Sequence, residues 1–403
     1  MSTSILYHGF GLRGQNYEKS EYEGGEVHFH VSLKPRHIRC PLCGTRRVIR
    51  HSEKTRTLRT VPIGNTPVKI VVTVPRVECP DCETRRRVQP PFTEKRLSYT
   101  KQFARYVLYL CDLMTIQDVA NHLGVSWDLV KGIHKRHLKK KFSKPKLSEL
   151  KRIAIDEISI GNDNRYLTVV LDLETGAVVF VGEGKGSDTL KPFWTRLGRA
   201  HAEIEAVATD MSKAYISAVL NNLDDAQLIF DRFHIVKLFN EKITKLRRDL
   251  QREADETDKD VLKGIRWLLV RHPENLRKEK DEPERLHEAL VLNEPLALVY
   301  YMKEDFRRFW EQPTKEAAER FLDDWIRRAK ASDIAVLKQL GRTMEDHRYG
   351  LLAWYDYPIS TSPLEGVNNK IKTLQRQAYG YRDDEYFKLR IFACHKAKYA
   401  LVG

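Results

Sequence analysis

The stretch Arg152–Glu157, RIAIDE, is an apolar run that ends in acidic residues, of which Asp156 is the first. A second run, Ile204–Asp210 (IEAVATD), ends in Asp210, and Glu365 lies in TSPLEGVNNKIK, which predicts the start of a helix. A single Asp at a strand end carries little information, since Asp is common there as a turn residue. The order of the elements around these three carboxylates makes them informative.

The segment around the first two carboxylates alternates short apolar runs with two amphipathic stretches. The stretches Ser187–His201 and Ser212–Asn221 predict helices, the second capped by Ser212. The resulting order, β-β-β-α-β-α-β, is that of an RNase H-like α/β fold. It places Asp156 on the first strand and Asp210 at the end of the fourth, on neighbouring central strands. The predicted strands are Arg152–Ile158, Arg165–Leu171, Ala177–Val181, Ile204–Thr209 and Gln227–Phe230.

Two carboxylates at strand ends and a third on a later helix can share a pair of Mg²⁺ ions, for which Mn²⁺ is a possible substitute. Two such ions, ~3.5–4 Å apart, stabilise the attacking and leaving oxygens of a phosphoryl displacement, and carboxylate oxygens are natural ligands for Mg²⁺. The alternative for Glu365 is a first-turn Glu that the helix dipole favours, just after Pro363. Glu157 lies on the opposite strand face from Asp156 and is excluded.

The chain has 403 residues, a formal charge of +15 and 41% apolar residues, which predicts two to four globular domains and a polyanionic partner, most simply nucleic acid. A basic protein with a solvated surface is the alternative. No run of 18 apolar residues and no signal peptide is present, so a cytosolic protein is expected. The predicted domains are a zinc-ribbon domain (1–95), a helix-turn-helix domain with a basic linker (96–150), the first part of the RNase H-like core (151–232), an all-helical insertion (233–355) and C-terminal helices of the core (356–403).

Four of the six cysteines form two CxxC pairs, CPLCG and CPDC. Four thiolates bind Zn²⁺ tetrahedrally at ~2.3 Å, and such closed sites are structural. The separation of 35 residues is long for a ribbon, and a β hairpin could fill it. Basic residues flank the cysteine pairs and favour a DNA-facing role, although the zinc site could serve only to stabilise the fold. Residues 1–35 show little pattern. The predicted zinc ligands are Cys40, Cys43, Cys79 and Cys82, whereas Cys111 and Cys394 are expected to be buried.

The stretch TIQDVANHLGVSWDLVKGIHKRHL fits a helix-turn-helix, with a first helix at Ile116–Leu123, a turn at Gly124-Val125 and Ser126 capping the second helix. The exposed face of that helix is expected to carry Trp127, Lys131, His134 and Lys135. The run from Lys131 to Arg152 holds ten Lys or Arg and one acid, and phosphate contacts supply most non-specific DNA affinity. A plain helical linker is the alternative. The DNA-binding residues predicted here are Trp127, Lys131, Lys135, Lys139, Lys140 and Lys141.

Further candidates lie in the second half of the chain. His234, three residues after Asp231, would position substrate phosphate or flipped DNA with Asp231 holding its imidazole, or it is a satisfied structural histidine. Lys370, Lys372 and Arg376 follow Glu365 at helical spacing and could bind DNA phosphates near the active site, or form a solvated basic face. The segment RDDEYFKLRIFACHKAKYA predicts one further helix.

Taken together, the chain resembles the bacterial insertion-sequence transposases of the ISL-three family, part of the DDE superfamily. The resemblance runs nearly end to end, and its most specific strings are AIDEISI, ATDMSKAY, DRFHIVK and TSPLEGVNNKIKTLQRQAYGYRD. It implies that Asp156, Asp210 and Glu365 are the catalytic triad and that Asp231 and His234 belong to a signature of transposases with helical insertions. The long zinc loop and the Arg-rich stretch after Cys82 depart from the family pattern.

The expected function is that of a DNA transposase, which binds terminal inverted repeats and catalyses Mg²⁺-dependent cleavage and strand transfer. Synapsis of two DNA ends predicts a homodimer or larger assembly. Two alternatives remain open at this point: an RNase H-like nuclease or resolvase without strand transfer, and a zinc-containing DNA-binding regulator whose core is catalytically inactive.

Overall fold

The computed structural model of the chain describes residues 4–161, 165–359 and 362–402. It divides into two compact units, Met1–Lys141 and Phe142–Gly403, which are described separately below. Within the described ranges, every helix is too short or too polar to cross a membrane.

The first unit is built on a five-stranded sheet with the order β1-β2-β4-β3, in which β5 pairs with β4. The short helix α1 (Ile5–His8) precedes it. Apolar residues that alternate along β2 and β4 form its core, among them Val31, Val68, Ile70 and Val72. The strands are β1 (Gln15–Glu23), β2 (Glu26–Leu33), β3 (Ile49–Ile63), β4 (Thr66–Cys79) and β5 (Thr84–Arg87).

The expectation of little structure in residues 1–35 is wrong, because β1 and β2 lie there and extend the sheet. The strand β2, EVHFHVSL, buries every second residue, and this alternation was the missed signal. Gly24 and Gly25, both with positive φ, form the two-residue turn between the strands, a conformation that favours glycine. Parallel pairing of β2 with β4 then buries the strand in the centre of the sheet.

The long insert between the two cysteine pairs is a hairpin, as predicted. The strands β3 and β4 pair antiparallel from Ile49↔Glu78 to Ile63↔Thr66, with two register shifts. Gly64, with a φ of +59°, lies in the turn that joins them. The hairpin therefore returns the chain so that Cys79 comes back beside the first cysteine pair.

Three helices complete the first unit: α2 (Lys101–Leu113), α3 (Ile116–Leu123) and α4 (Trp127–Phe142), of which the last residue belongs to the second unit. The helix-turn-helix prediction is confirmed. Thr115 and Asp118 form a capping box at the start of α3, and Gly124 ends the helix in the left-handed conformation. Ser126 Oγ accepts the N–H of Leu129 at 3.3 Å, so it caps α4 as expected.

The second unit contains a five-stranded sheet with the order β10-β9-β6-β7-β8, which confirms the predicted RNase H-like order. Strands β6, β9 and β10 are parallel, and β7 and β8 run antiparallel to their neighbours. Ser212 stands at the start of α6, but its side chain makes no capping bond, contrary to expectation. The elements are β6 (Arg152–Ser159), β7 (Tyr166–Asp172), β8 (Val178–Glu183), α5 (Lys191–Ala200), β9 (Ala206–Thr209), α6 (Lys213–Leu220) and β10 (Gln227–Phe230).

The chain from Arg232 to Tyr355 forms helices and 3₁₀ turns. Phe239, Phe306 and Trp325 pack against one another in its interior, and the indole of Trp325 donates to Met302 O at 2.9 Å. The helices are α7 (Arg232–Glu253), α8 (Glu256–Gly264), α9 (Glu282–Leu292), α10 (Glu294–Phe306), α11 (Lys315–Ala331), α12 (Ala335–Asp346) and α13 (Arg348–Leu352).

The C-terminal part returns to the sheet. Leu364, Val367 and Ile371 of α14 (Ser362–Gln377) are buried in one cluster with Ala154 of β6 and Ala208 of β9. The helix predicted for the end of the chain is interrupted: α15 (Asp384–Phe392) ends in a 3₁₀ turn and α16 (Lys396–Tyr399) follows. Packing of α14 on this sheet face brings its residues to the ends of the central strands.

Candidate active site and DNA-binding surface

Three aspartates form a row where the parallel pairing ends: Asp210 and Asp231 follow β9 and β10, and Asp156 lies within β6, two residues beyond its last pair with β9. Ala154 on β6 pairs with Ala208 on β9, and two further residues of this register set Asp156 opposite Asp210. Asp231 follows β10 in line with them, and its N–H donates to Thr209 O at 3.0 Å. Adjacent strands lie ~4.8 Å apart and residues in register share a face. The sheet therefore gathers Asp156, Asp210 and Asp231 on one face at one edge.

Asp156 is buried, with 8% of its surface exposed. Its Oδ1 accepts the N–H of Glu157 at 2.8 Å, and its Oδ2 accepts the amide Nδ2 of Asn368 at 2.6 Å. Burial raises the pKa of Asp156; the charge of His234 and these two donors oppose the rise, while the charge of Asp210 adds to it. The carboxylate is thus a desolvated anion that other groups must stabilise.

His234 connects two of the aspartates. Its Nδ1 lies 3.0 Å from Asp231 Oδ2, and its Nε2 lies 3.9 Å from Asp156 Oδ1. Burial lowers the pKa of His234, but the hydrogen bond to Asp231 and the charges of Asp156, Asp231 and Asp210 outweigh it, so the net shift is upward. Asp231 also caps α7, because its Oδ1 accepts the N–H of Phe233 at 2.9 Å. This cap fixes where α7 presents His234.

Glu157 points to the other face of β6. It is paired with Thr168 of β7, whose Oγ1 lies 3.0 Å from the hydroxyl of Tyr215. Burial raises the pKa of Glu157, the charges of Asp210 and Asp156 raise it further, and a hydrogen bond with Tyr215 lowers it. Its partners differ from those of Asp156, although the two residues are adjacent in the chain.

Glu365 lies in the first turn of α14 and is exposed. It precedes Asn368 by three residues, and residues three apart on a helix share a face. Asn368 donates to Asp156, so Glu365 lies one turn away on the face that borders the aspartate row. Among the described residues, the only group of three or more His, Cys, Asp or Glu with ligand atoms all within 4.8 Å is the four cysteines. The carboxylates of Asp156, Asp210 and Glu365 therefore do not all lie within this distance of one another, and repulsion among the three negative charges opposes a closer approach.

Asn368 was not predicted from the sequence. Its Oδ1 is buried and has no hydrogen-bond partner within the described structure, although its Nδ2 is bonded to Asp156. The signal that could have found it is its position one helical turn after Glu365.

The three basic residues predicted on α14 do not share one face. At 100° per residue, Lys372 and Arg376 lie within about 20° of Glu365, whereas Lys370 is rotated by about 140°. The charge of Lys370 instead acts on Cys394 and His395: burial raises the pKa of Cys394 and Lys370 opposes the rise, while burial and Lys370 both lower the pKa of His395. Lys372 and Arg376 therefore share the helix face of Glu365, about two and three turns further along α14, whereas Lys370 lies near the C-terminal turn.

The four predicted zinc ligands come together. The Sγ atoms of Cys40 and Cys82, and those of Cys43 and Cys79, are 3.5 Å apart, and those of Cys43 and Cys82 are 3.8 Å apart. Four sulfurs at ~2.3 Å from one Zn²⁺ would be roughly 3.8 Å apart, whereas a disulfide needs ~2.05 Å. A residue with positive φ, Gly44 or Glu83, follows each pair. The arrangement fits a structural zinc ion.

On α4, Trp127 is 42% exposed and the Lys131 amine lies 4.9 Å from its ring centroid. Lys135 is half-buried, and Lys139, Lys140 and Lys141 are exposed in the last turn. His134 does not belong to this face, because it is buried at 4% exposure. The face is therefore narrower than predicted: Val130 and Ile133 enter the core, and His134 lies beside them rather than in solvent.

Cys111 and Cys394 are buried, as expected. Burial raises the pKa of Cys394 to about 11, which keeps its thiol protonated and unreactive near neutral pH.

An RNase H-like sheet with acidic side chains at its parallel strand ends, in a chain with a zinc ribbon and a helix-turn-helix, defines an enzyme that cleaves or joins DNA. Three family models match accordingly: "Transposase" over residues 153–391, "zinc-finger of transposase IS204/IS1001/IS1096/IS1165" over 36–82, and "Helix-turn-helix domain of transposase family ISL3" over 88–138. The chain belongs to the ISL3 family of transposases.

Two relatives extend the match over most of the chain. The transposase for insertion sequence element IS1001 of Bordetella parapertussis is 32% identical over 390 residues, which cover 95% of this chain and 96% of that one. The transposase for insertion sequence element IS1557 of Mycobacterium tuberculosis is 27% identical over 366 residues, 82% of this chain and 79% of that one. Among solved structures, the Drosophila P element transposase strand transfer complex aligns at a TM-score of 0.39 and 11% identity, covering 76% of this chain and 94% of that one.

Proposed function

We propose that this transposase cleaves DNA at the ends of its insertion sequence and joins the released 3′-OH to target DNA, with Asp156, Asp210 and Glu365 as the ligands of two Mg²⁺ ions. The row of aspartates at the strand ends supports this proposal, because Asp156 is buried and bonded to the helix that carries Glu365. Bound there, Mg²⁺ would supply positive charge to the oxygens of the phosphoryl group and lower the pKa of water.

The residues of the chain supply the rest of the chemistry. Burial raises the pKa of Asp156, and a cation bound beside it would offset the cost of keeping its charge in a desolvated place. His234, linked to Asp231, points its Nε2 toward Asp156 and would donate to a substrate phosphate oxygen. Lys372 and Arg376, on the stripe of Glu365, would contact the backbone of the bound DNA end.

DNA recognition would be divided between segments of the first unit. Trp127, Lys131 and Lys135 of α4 would read base edges of the terminal inverted repeats, while Lys139, Lys140 and Lys141 would contact phosphates and only position the duplex. The zinc ribbon would extend this contact along the DNA. Two ends must be held together for transposition, so we propose a homodimer or larger assembly, to which the helical insertion would contribute.

We also propose the domain limits 1–95, 96–150, 151–232, 233–355 and 356–403. Residues 232–355 contain helices and turns between two parts of one sheet-based core, which supports an insertion at this place.

The test is cleavage of linear DNA that carries the element ends, with Mg²⁺, by the wild type and by Asp156→Asn, Asp210→Asn and Glu365→Gln. Each substitution keeps the size of the side chain and removes one charge from the cation site. We expect each variant to lose cleavage while its binding to the ends stays nearly unchanged. Substantial Mg²⁺-dependent cutting by any of the three would remove that residue from the triad.

The same assay, with target DNA added, tests strand transfer separately from cleavage. A supercoiled target plasmid, supplied with a pre-cut end bearing a 3′-OH, should give a joined product. Cutting without any joined product would identify a nuclease, and the absence of both would leave a DNA-binding regulator.

A further inference from the structure

We propose that Asn368 is part of the cation site: its amide nitrogen holds Asp156 in place, and its amide oxygen is a further ligand for the cation that Asp156 binds. This inference rests on the proposed function. Asn368 donates through Nδ2 to Asp156 Oδ2 at 2.6 Å, while its Oδ1 is buried without a hydrogen-bond partner in the described part of the chain.

The orientation of the amide follows from the chemistry of its partner. An ionised carboxylate only accepts hydrogen bonds, so the NH₂ group of Asn368, and not its amide oxygen, must face Asp156 Oδ2. A buried acceptor without a partner costs free energy and is uncommon in folded proteins. An amide oxygen is also an ordinary ligand for a hard divalent cation.

The charges around Asn368 favour a cation, rather than a hydrogen-bond donor, as the partner of its amide oxygen. The charges of Asp210 and His234 both act on Asp156, so the site carries three acidic groups, including Asp231, against one histidine. The excess of negative charge would attract a cation to this edge of the sheet. Each oxygen of Asp156 accepts one hydrogen bond, Oδ1 from the Glu157 N–H and Oδ2 from Asn368, and each keeps a lone pair that a cation can take.

The matched control is the next residue. Asn369 is exposed, and a rotation of about 100° per residue turns its side chain away from Asp156. Asn369→Ala and Asn368→Ala therefore remove the same group from adjacent positions of one helix. Alanine is a strong helix former, so α14 should persist in both variants.

The experiment measures Mn²⁺ binding to the zinc-loaded full chain without DNA, from the electron paramagnetic resonance signal of free Mn²⁺. Residues that orient a metal ligand typically contribute about 10–100-fold to metal affinity. We expect Asn368→Ala to weaken binding by this factor and Asn369→Ala to leave it unchanged. Asn368→Asp, which keeps an oxygen and loses the donor, should bind more tightly than Asn368→Ala.

A second readout follows cleavage as Mg²⁺ is raised. Asn368→Ala should shift the Mg²⁺ midpoint upward, with much of the rate returning at saturation, whereas a general loss of folding would lower the rate at every concentration. Without added Mn²⁺ or Mg²⁺, the Tm of the zinc-loaded wild type, Asn368→Ala and Asn369→Ala should be nearly equal.

The reference variant Asp156→Asn distinguishes loss of the whole cation site from loss of the contribution of Asn368. If it binds Mn²⁺ as the wild type does, the cation site itself is wrong. If Asp156→Asn loses Mn²⁺ binding while Asn368→Ala binds Mn²⁺ as Asn369→Ala does, the role of Asn368 is refuted and the cation site at Asp156 is retained. If Asn368→Asp binds worse than Asn368→Ala, the amide oxygen is not a ligand.

Discussion

Gly350 lies where the helical segment packs against the end of β10, and an added methyl group there tests this packing. A Cβ at Gly350 would lie 2.5 Å from Cδ2 of Phe230, the last residue of β10. The Phe230 ring also packs edge-on against His347 and Tyr349, so it has little room to move. Phe230 directly precedes Asp231, so a displaced ring would disturb the aspartate row.

The magnitude follows from two opposing effects in Gly350→Ala. Overpacking in a well-packed core typically costs about 1–3 kcal/mol, while Ala is favoured over Gly in a helix by up to about 1 kcal/mol. We expect a net loss of about 1 kcal/mol. Gly198 in α5 is the control, because no atom of the described residues lies within 4 Å of its added Cβ. Gly198→Ala should gain about 0.5–1 kcal/mol.

The assay is thermal unfolding of the full chain with zinc bound, followed by circular dichroism. The two variants should differ by about 2 kcal/mol, which corresponds to roughly 4–8 °C in Tm for a unit of this size. Gly350→Ala should also lower the rate of DNA cleavage at saturating Mg²⁺. The smaller side chain in Phe230→Leu should make the added methyl group less costly, so the double variant should lose less than the sum of the single variants.

An increase in Tm for Gly350→Ala equal to that for Gly198→Ala would refute the packing of α13 against β10. A decrease that Phe230→Leu does not relieve would show that the methyl group meets a different neighbour.

Three other predictions concern zinc, DNA and acid stability. Cys79→Ser should lose about one Zn²⁺ per chain by metal analysis and unfold the ribbon, since structural zinc contributes on the order of 10 kcal/mol; zinc-free wild type would contradict this. Lys140→Ala should weaken binding to specific and random DNA alike and reduce the slope of log K against log salt concentration by roughly 0.9. Lys131→Ala should instead reduce the difference in affinity between specific and random DNA, and an equal loss of affinity for both would show that α4 does not recognise the DNA sequence. The side chain and N–H of Arg277, and also Arg271, lower the pKa of Glu282 to about 2. Because this pKa is lower in the folded than in the unfolded state, ionised Glu282 stabilises the fold. The Tm difference between the wild type and Glu282→Gln should therefore be complete above about pH 5 and vanish as the pH falls toward 2. A constant difference over this range would contradict the pairing.

Most elements of the fold could be predicted from local patterns. The five strands of the core, the capped helices around Gly124 and the hairpin between the cysteine pairs follow from apolar periodicity and turn residues. The strand β2 was also readable from its alternation, but neither its parallel pairing with β4 nor its burial is encoded within 1–35. Pairing between distant segments depends on which faces remain to be covered, and no short window contains that information.

The candidate site, like the fold, could be predicted only in part from the sequence. The sequence by itself determined the residue types and their order: carboxylates after two strands and on a late helix, and thiols in two CxxC pairs. The tertiary structure alone decided that Asp231 continues the row and that Asn368 bonds Asp156 across 212 positions of the chain. It also turned Lys370 toward Cys394 and buried His134. The physical reason is that spacing sets which side chains share a face, whereas packing between distant elements sets what that face meets.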